Sequence, residues 1–219
     1  MIFLLIGAGL TTIFQSSSAT VALTLVMCSK GWIGYEDAAA MIMGENIGTT
    51  ITANLAAAVA NVQAKRAALA HFIINVFGVI WLFLIFTPFL NFIGDLCVTL
   101  HLSTYNPKFS DPKLLNEAFS PEARAGVTAS INAAMPLVLS LFNTLAKGIN
   151  VAILIWFTEY LARIVSRIIP PKKGEETFTL KHIKIGLLST PDASLFQAKQ
   201  EISCLLYTSP SPRDMRRSR

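Results

Sequence analysis

Charge is what this sequence has least of. Only 14% of its 219 residues are Asp, Glu, Lys or Arg, against 53% hydrophobic residues and a mean hydropathy of +0.55. That leaves too little polar material to coat a water-soluble chain of this length, so lipid is the main solvent. Cysteine and histidine are sparse too. Cys28, Cys97 and Cys204 are odd in number, widely spaced and without a CxxC pair, and His71, His101 and His182 are scattered. Neither a disulfide framework nor a Cys/His zinc site fits that pattern, and the cysteines read as packing residues. The net charge of +5 gives no nucleic-acid signal, because Arg213, Arg216, Arg217 and Arg219 against Asp214 supply +3 of it at the extreme C-terminus.

Within the charge-free stretch from Met1 to Ser29 stands an unexpected polar run: Gln15, Ser16, Ser17, Ser18, then Thr20 after Ala19. Hydrocarbon cannot satisfy such groups, so they are tolerated only when buried in protein or lining a wet cavity, often where two half-helices meet. The run predicts a broken or re-entrant helix and marks a substrate or ion site. Serines can also act merely as small residues that let helices pack closely, but three in a row beside Gln15 fit that reading poorly. A hairpin dipping in from one face would have arms of about 13 residues, each reaching about 20 Å, which places Ser16 to Ser18 near mid-membrane. A single broken span is the other arrangement.

Four apolar blocks are near the length of a spanning helix, about 20 residues: Met1 to Cys28, Ala38 to Val62, Ala67 to Ile93 and Val127 to Phe157. Block two is built from Ala, Gly, Thr and Asn and suits an interior helix, whereas block three is bulky and aromatic and suits a peripheral, lipid-facing one. Lys65 and Arg66 close the gap between blocks two and three, and Arg163, Arg167, Lys172 and Lys173 follow block four, which puts both sites in the cytoplasm. The loop from Asp95 to Arg124, with Pro107, Pro112 and Pro121, is then external. After Pro170 and Pro171 the composition turns polar, and Ser194, Leu195, Ala198 and Ile202 read as an amphipathic helix of a cytoplasmic segment. The expected organisation is a transmembrane region over 1–169, the start of a cytoplasmic helical domain over 170–203, and a non-native or disordered tail over 204–219.

A second polar cluster, GENIGTTITAN, sets Glu45, Asn46, Thr49, Thr50, Thr52 and Asn54 within block two, with Gly44 and Gly48 able to let a backbone or an ion approach. Asn46, Thr49 and Thr50 share a helix face by their spacing of three and four. Close helix packing by Gly and Thr is the competing use of the same residues. Glu45 is a cation ligand, a proton site or an acid that reaches water, and its depth favours function. His71 and Asn75 are one turn apart near Lys65 and Arg66, and read first as a packed, hydrogen-bonded pair. Asn143 and Lys147 are left without an assigned role; Lys147 snorkels or faces a cavity.

QSSSAT, then GENIGTT about 25 residues later, then KRAALAHFIINVFG resembles the second repeat of the type II sodium-dependent phosphate cotransporters in their bacterial form, over roughly Met1 to Arg163. The segment from Phe178 to Ile202 resembles the start of the PhoU-like domain that follows in bacterial members. The resemblance implies an all-α membrane bundle with a re-entrant or broken hairpin, one half of an inverted-repeat transporter whose N-terminal repeat is missing from this chain. It implies that Gln15, Ser16, Ser17, Ser18, Thr20, Glu45, Asn46, Thr49 and Thr50 form the phosphate and sodium site, with Gln15, Ser17, Asn46 and Thr49 as sodium ligands. Two departures stand out: many relatives have a small residue in place of Glu45, and FNTLAKGIN replaces a stretch that usually has a His after the Phe and no Lys.

Sodium coupling also makes physical sense from the residues, because the blocks hold almost no Lys or Arg to neutralise a multivalent anion. The function expected is a multi-pass transporter of the cytoplasmic membrane with its C-terminal segment in the cytoplasm, taking up inorganic phosphate with sodium and needing no other cofactor. Transport of another anion, proton coupling through Glu45, and a regulatory membrane protein that senses phosphate status stay open beside it. An intramembrane serine hydrolase using one of Ser16 to Ser18 with His71 is the remotest reading, since no GxSxG turn frames a nucleophile; the chain is not expected to be an enzyme.

Overall fold

The first helix stops where the apolar run meets the polar one. The computed structural model describes residues 2–170, and among them all regular structure is helical. Helix α1 (Ile2–Phe14) ends at Gln15, whose φ of 53° lies in the left-handed region that few non-glycine residues adopt. Ser16 is extended, and its Oγ accepts from the Ala19 N–H at 3.4 Å, capping α2 (Ser17–Ser29). The break is thus confined to Gln15 and Ser16, and each flanking helix has 13 residues.

Helix α3 (Tyr35–Ala57) is the interior helix that its small residues predict, with Ala38, Ala39, Met41, Ile42, Met43, Gly44 and Glu45 all buried. It meets α1 backbone to backbone: a Cβ on Gly44 would overlap the Leu4 carbonyl, one on Gly7 the Met41 carbonyl, and one on Gly48 the Ala8 carbonyl. Leu4 meets Gly44, and Ala8 and Thr11 meet Gly48, so the two helices run in the same sense. On α2 the order reverses: Thr24 bonds Glu45, while Ser17 and Ser18 lie near Thr49.

Helix α4 (Val62–Leu84), capped by Asn61, buries only Val62, Ala68 and Leu82 and leaves Ile80 and Leu84 exposed, as a lipid-facing helix would. It is long and apolar enough to cross a membrane. So is the helical stretch from Pro121 to Ile168, formed by α7 (Pro121–Leu154), a 3-10 turn (Ile155–Phe157) and α8 (Thr158–Ile168).

Two expectations change. Block three is not one peripheral span: α4 ends at Leu84, and α5 (Phe86–Thr99) turns Phe89, Leu90, Ile93 and Cys97 into the core, Phe89 meeting Phe142 at 5.7 Å between ring centroids. Pro88, which has no N–H to bond the Leu84 carbonyl, fits the first turn of a new helix better than the interior of an old one. The segment between blocks three and four is also more ordered than a loop. Pro107, Pro112 and Pro121 each open an element, respectively the 3-10 turn Pro107–Ser110, α6 (Pro112–Ala118) and α7. Tyr105 and Phe109 both stack edge-on against Phe119, closing the segment over the core.

Arg66 Nε donates to the Ile169 carbonyl at 2.9 Å, so the start of α4 and the end of α8 lie together, and the basic clusters around Lys65 and Arg167 share one end of the bundle. Cys28 and Cys97 are buried free thiols, as packing residues would be. The expected PhoU-like segment, the tail and Cys204 fall from residue 171 onward, outside the described residues.

Candidate functional site

A cavity of about 660 Å³ opens between α2, α3, α4 and α7. Its polar wall begins at the N-terminus of α2. Ser17 and Ser18 are the first two residues of that helix, so their N–H groups have no intrahelical carbonyl to bond and their hydroxyls stand beside them. Helix α3 adds Asn46 and Thr49, one turn apart, with the Thr49 hydroxyl donating to the Glu45 carbonyl at 2.8 Å. Helix α4 adds His71 and Asn75, whose Nδ2 donates to the His71 carbonyl at 3.0 Å. From α7 come Asn143, Lys147 and Asn150, which share a face by their spacing of four and three. Asn143 Oδ1 is buried there with no hydrogen-bond partner among the described residues.

This is a recess of hydroxyl, amide, imidazole and ammonium donors at an open helix N-terminus. Such a set suits a small oxyanion: the N–H groups and the positive end of the helix dipole attract negative charge, and Lys147 supplies a full positive one. The low polarity of the remaining lining, Val21, Ala22, Leu25, Ile74 and Val151, strengthens each of those interactions.

Of the residues singled out in the sequence, Ser17, Ser18, Asn46 and Thr49 come together here. The others do not line the cavity. Gln15 is exposed at the break, and Ser16 is occupied as the cap of α2. Thr20 is buried and bonds the Ser16 carbonyl at 2.9 Å, while Thr50, also buried, bonds the Ile47 carbonyl at 2.7 Å. Glu45 is 1% exposed and accepts from the Thr24 hydroxyl at 2.6 Å, behind the wall rather than in it. Thr52 and Asn54 bond within or beside α3, Asn54 reaching the Ala68 carbonyl at 3.1 Å.

Asn150 escaped the reading of the sequence altogether, and Asn143 and Lys147 received no role in it. The signal was present in their spacing along an otherwise apolar stretch, which puts three polar side chains on one face of a helix. Asn150 itself is partly structural: its Oδ1 accepts from Trp81 Nε1 at 3.2 Å and its Nδ2 donates to the Ile74 carbonyl at 3.1 Å, joining α7 to α4.

Residues 1–103, which carry the α2 and α3 walls and His71 and Asn75, match the family described as Na+/Pi-cotransporter. An uncharacterized protein of Bacillus subtilis, YqeW, is 43% identical over 76 residues, 35% of this chain and 25% of that protein. Sodium-dependent phosphate transport protein 2C of Rattus norvegicus is 40% identical over 86 residues, 37% of this chain and 14% of that protein. The longest of the three likenesses is to YjbB of Salmonella typhimurium, named for inorganic phosphate export: 26% identity over 203 residues, 92% of this chain and 31% of that protein. The chain spans less than a third of the length of these relatives. No solved structure matches it. The α7 wall of the cavity lies beyond the part that the family match covers.

Proposed function

We propose that this chain forms part of a secondary transporter that couples sodium to the uptake of inorganic phosphate across the cytoplasmic membrane. The observation that carries the proposal is the cavity at the start of α2, where Ser17, Ser18, Asn46 and Thr49 of the family's segment meet Lys147 and Asn143 of α7. Phosphate oxygens accept from the Ser17 and Ser18 hydroxyls and amides, and Lys147 offsets one negative charge. A second charge has no protein cation to meet it among the cavity's lining residues, His71 aside, so a cation entering with the anion lowers the cost of burial. Gln15, Ser16 and Thr20 shape the turn that presents the two serines, and Thr50 holds α3 behind Thr49. Ser17, Asn46 and Thr49 offer the oxygens for sodium, whereas Gln15, expected from the sequence as a fourth ligand, stands outside the cavity.

In this reading α1 and α2 are the arms of a re-entrant hairpin: their 13-residue length is short of a span and they meet α3 in opposite senses. The basic end of the bundle, around Lys65, Arg66 and Arg167, faces the cytoplasm. A second, inverted repeat completes the site from outside this chain, and the cytoplasmic segment from residue 170 is PhoU-like.

Phosphate uptake by vesicles holding the complete protein, driven by an imposed sodium gradient and compared with potassium and proton gradients, tests the reading. Uptake that needs sodium and falls with Ser17→Ala supports it; uptake unaffected by the cation, or by Ser17→Ala, sinks it. The likeness to a protein named for phosphate export favours a second reading in which net flow is outward. The same vesicles, preloaded with phosphate, decide between the two directions.

A further inference from the structure

At the basic end of the bundle, α8 carries an amphipathic surface that the phosphate cavity does not use. Phe157, Leu161, Ile164 and Ile168, spaced by four and three, share one face, and Tyr160, Arg163 and Arg167 share the face beside it. Val165 is the buried residue of this helix. Phe157 and Ile168 are more than half exposed, and Trp156, in the turn before α8, is 87% exposed. The helix does not simply prolong α7. Asn150 bonds the Ile74 carbonyl and Arg66 bonds the Ile169 carbonyl, so between these two ties α7 and α8 advance 19 residues, about 28 Å of helix, while α4 covers eight, about 12 Å. A straight rod would overshoot Arg66. The break at Ile155–Phe157 therefore swings α8 across the end of the bundle.

We propose that α8 is an interfacial helix and that its Arg163 and Arg167, with Lys65 and Arg66 of α4, form a docking surface for the anionic phosphodiester headgroups of membrane lipids. Charge complementarity commits the surface to that occupant: α8 and the first turn of α4 together carry these four basic side chains against one acid, Glu159. Glu159 and Arg163 stand 3.5 Å apart with both side chains largely exposed, a pair that contributes little and leaves the guanidinium open to a phosphate. Arg66 spends one of its five N–H donors on Ile169. The uncharged part of the surface fits the same partner. Trp156 and Tyr160 are of the types that sit at headgroup level, while Phe157 and Ile168 can reach the acyl chains beneath. A soluble anion would engage the arginines and leave those four side chains in water. Because Arg66 joins the end of α8 to the start of α4, lipid held across both clamps the two helices together. The inference rests on the proposed placement of the basic end at the cytoplasmic membrane face, and not on the phosphate cavity.

The test is the thermal midpoint of the complete purified protein in micelles of an uncharged detergent, titrated with phosphatidylglycerol, with phosphatidylcholine of the same acyl chains, and with inorganic phosphate. We expect a rise in midpoint specific to phosphatidylglycerol. In the double variant Arg163→Gln, Arg167→Gln the half-saturating lipid concentration should rise about 30-fold. Arg163→Lys with Arg167→Lys keeps the charge and should recover most of that loss, so the titration reads the surface even if the Gln variant folds poorly. Lys108→Gln, at the opposite end of α3, should leave the curve unchanged. Equal stabilisation by the two lipids, stabilisation by inorganic phosphate alone, or a Gln variant that titrates like the wild type would overturn the proposal. Phosphate transport failing while the phosphatidylglycerol curve persists would count against the transport reading and leave the lipid surface standing.

Discussion

Trp81 Nε1 donates to Asn150 Oδ1 at 3.2 Å, and the same Asn150 returns a bond to the Ile74 carbonyl at 3.1 Å, so one amide ties α7 to two successive turns of α4. The tie passes beside Gly78, where a Cβ would stand 2.9 Å from Asn150 Nδ2. Gly78→Ala must displace the amide that Asn150→Ala removes. Each is expected to destabilise the protein by about 1–3 kcal/mol through unsatisfied buried groups, and the double variant by less than the sum, because both act on one network. Melting temperatures of the four proteins of this cycle in one detergent check it; full additivity would show that the two act separately.

Glycines elsewhere in the bundle divide sharply. Gly44 and Gly48 face α1 so closely that any Cβ meets backbone, whereas nothing lies within 4 Å of a Cβ on Gly126 or Gly148 in α7. Gly44→Ala and Gly48→Ala are expected to cost several kcal/mol or abolish folding, as overpacking against backbone does (about 1–3 kcal/mol or more). Gly148→Ala should be neutral or stabilise by about 0.5–1 kcal/mol, since Ala is the better helix residue. Monodispersity and thermal midpoint of the purified variants separate the two classes. Comparable behaviour at Gly44 and Gly148 would refute the close packing of α1 on α3.

The contrast explains what the sequence could disclose. The break at Gln15 and Ser16 was legible because a polar run in lipid has few solutions, and the interior place of α3 was legible because small residues permit close approach. The end of α4 at Leu84 was not. Hydropathy is continuous from Ala67 to Ile93, and only Pro88, in a position that suits a helix start as well as a kink, marks the change. The α2 and α3 walls of the cavity were readable as motifs, while the α7 wall was readable only as a spacing of Asn143, Lys147 and Asn150. Glu45 was flagged by its charge, but its partner Thr24 lies 21 residues away and no local pattern joins them.

Substitutions in the two polar clusters should split by what the side chains face. Ser17→Ala and Asn46→Ala remove groups that line the cavity, and each should raise the half-saturating phosphate concentration about tenfold or more, the worth of a hydrogen bond to a charged ligand. Thr50→Val leaves the cavity wall intact and loses only a bond to the Ile47 carbonyl, so phosphate dependence should stay within about twofold, with a stability loss of about 1 kcal/mol. Concentration dependence of vesicle uptake measures both. A Thr50→Val defect as large as that of Ser17→Ala would mean that the binding site lies deeper in α3 than the cavity.

Lys147 is the cavity's one lysine, and it stands on the wall that the family match does not reach. If it meets the anion, Lys147→Gln removes a charge-assisted contact worth about 1.5–3 kcal/mol, which raises the half-saturating phosphate concentration by about 10- to 150-fold. Lys147→Arg retains the charge and should recover most of that loss. If the lysine instead only covers apolar surface with its stem, Gln, Arg and Met would act alike, through packing. Ionic strength separates the cases further. A binding contact weakens as salt rises, and the wild-type advantage over Lys147→Gln should shrink with it, whereas a packing role would leave the ratio flat. Uptake curves for the four proteins at low and high salt, with the sodium concentration held constant and choline chloride added, therefore decide whether the α7 wall belongs to the phosphate site.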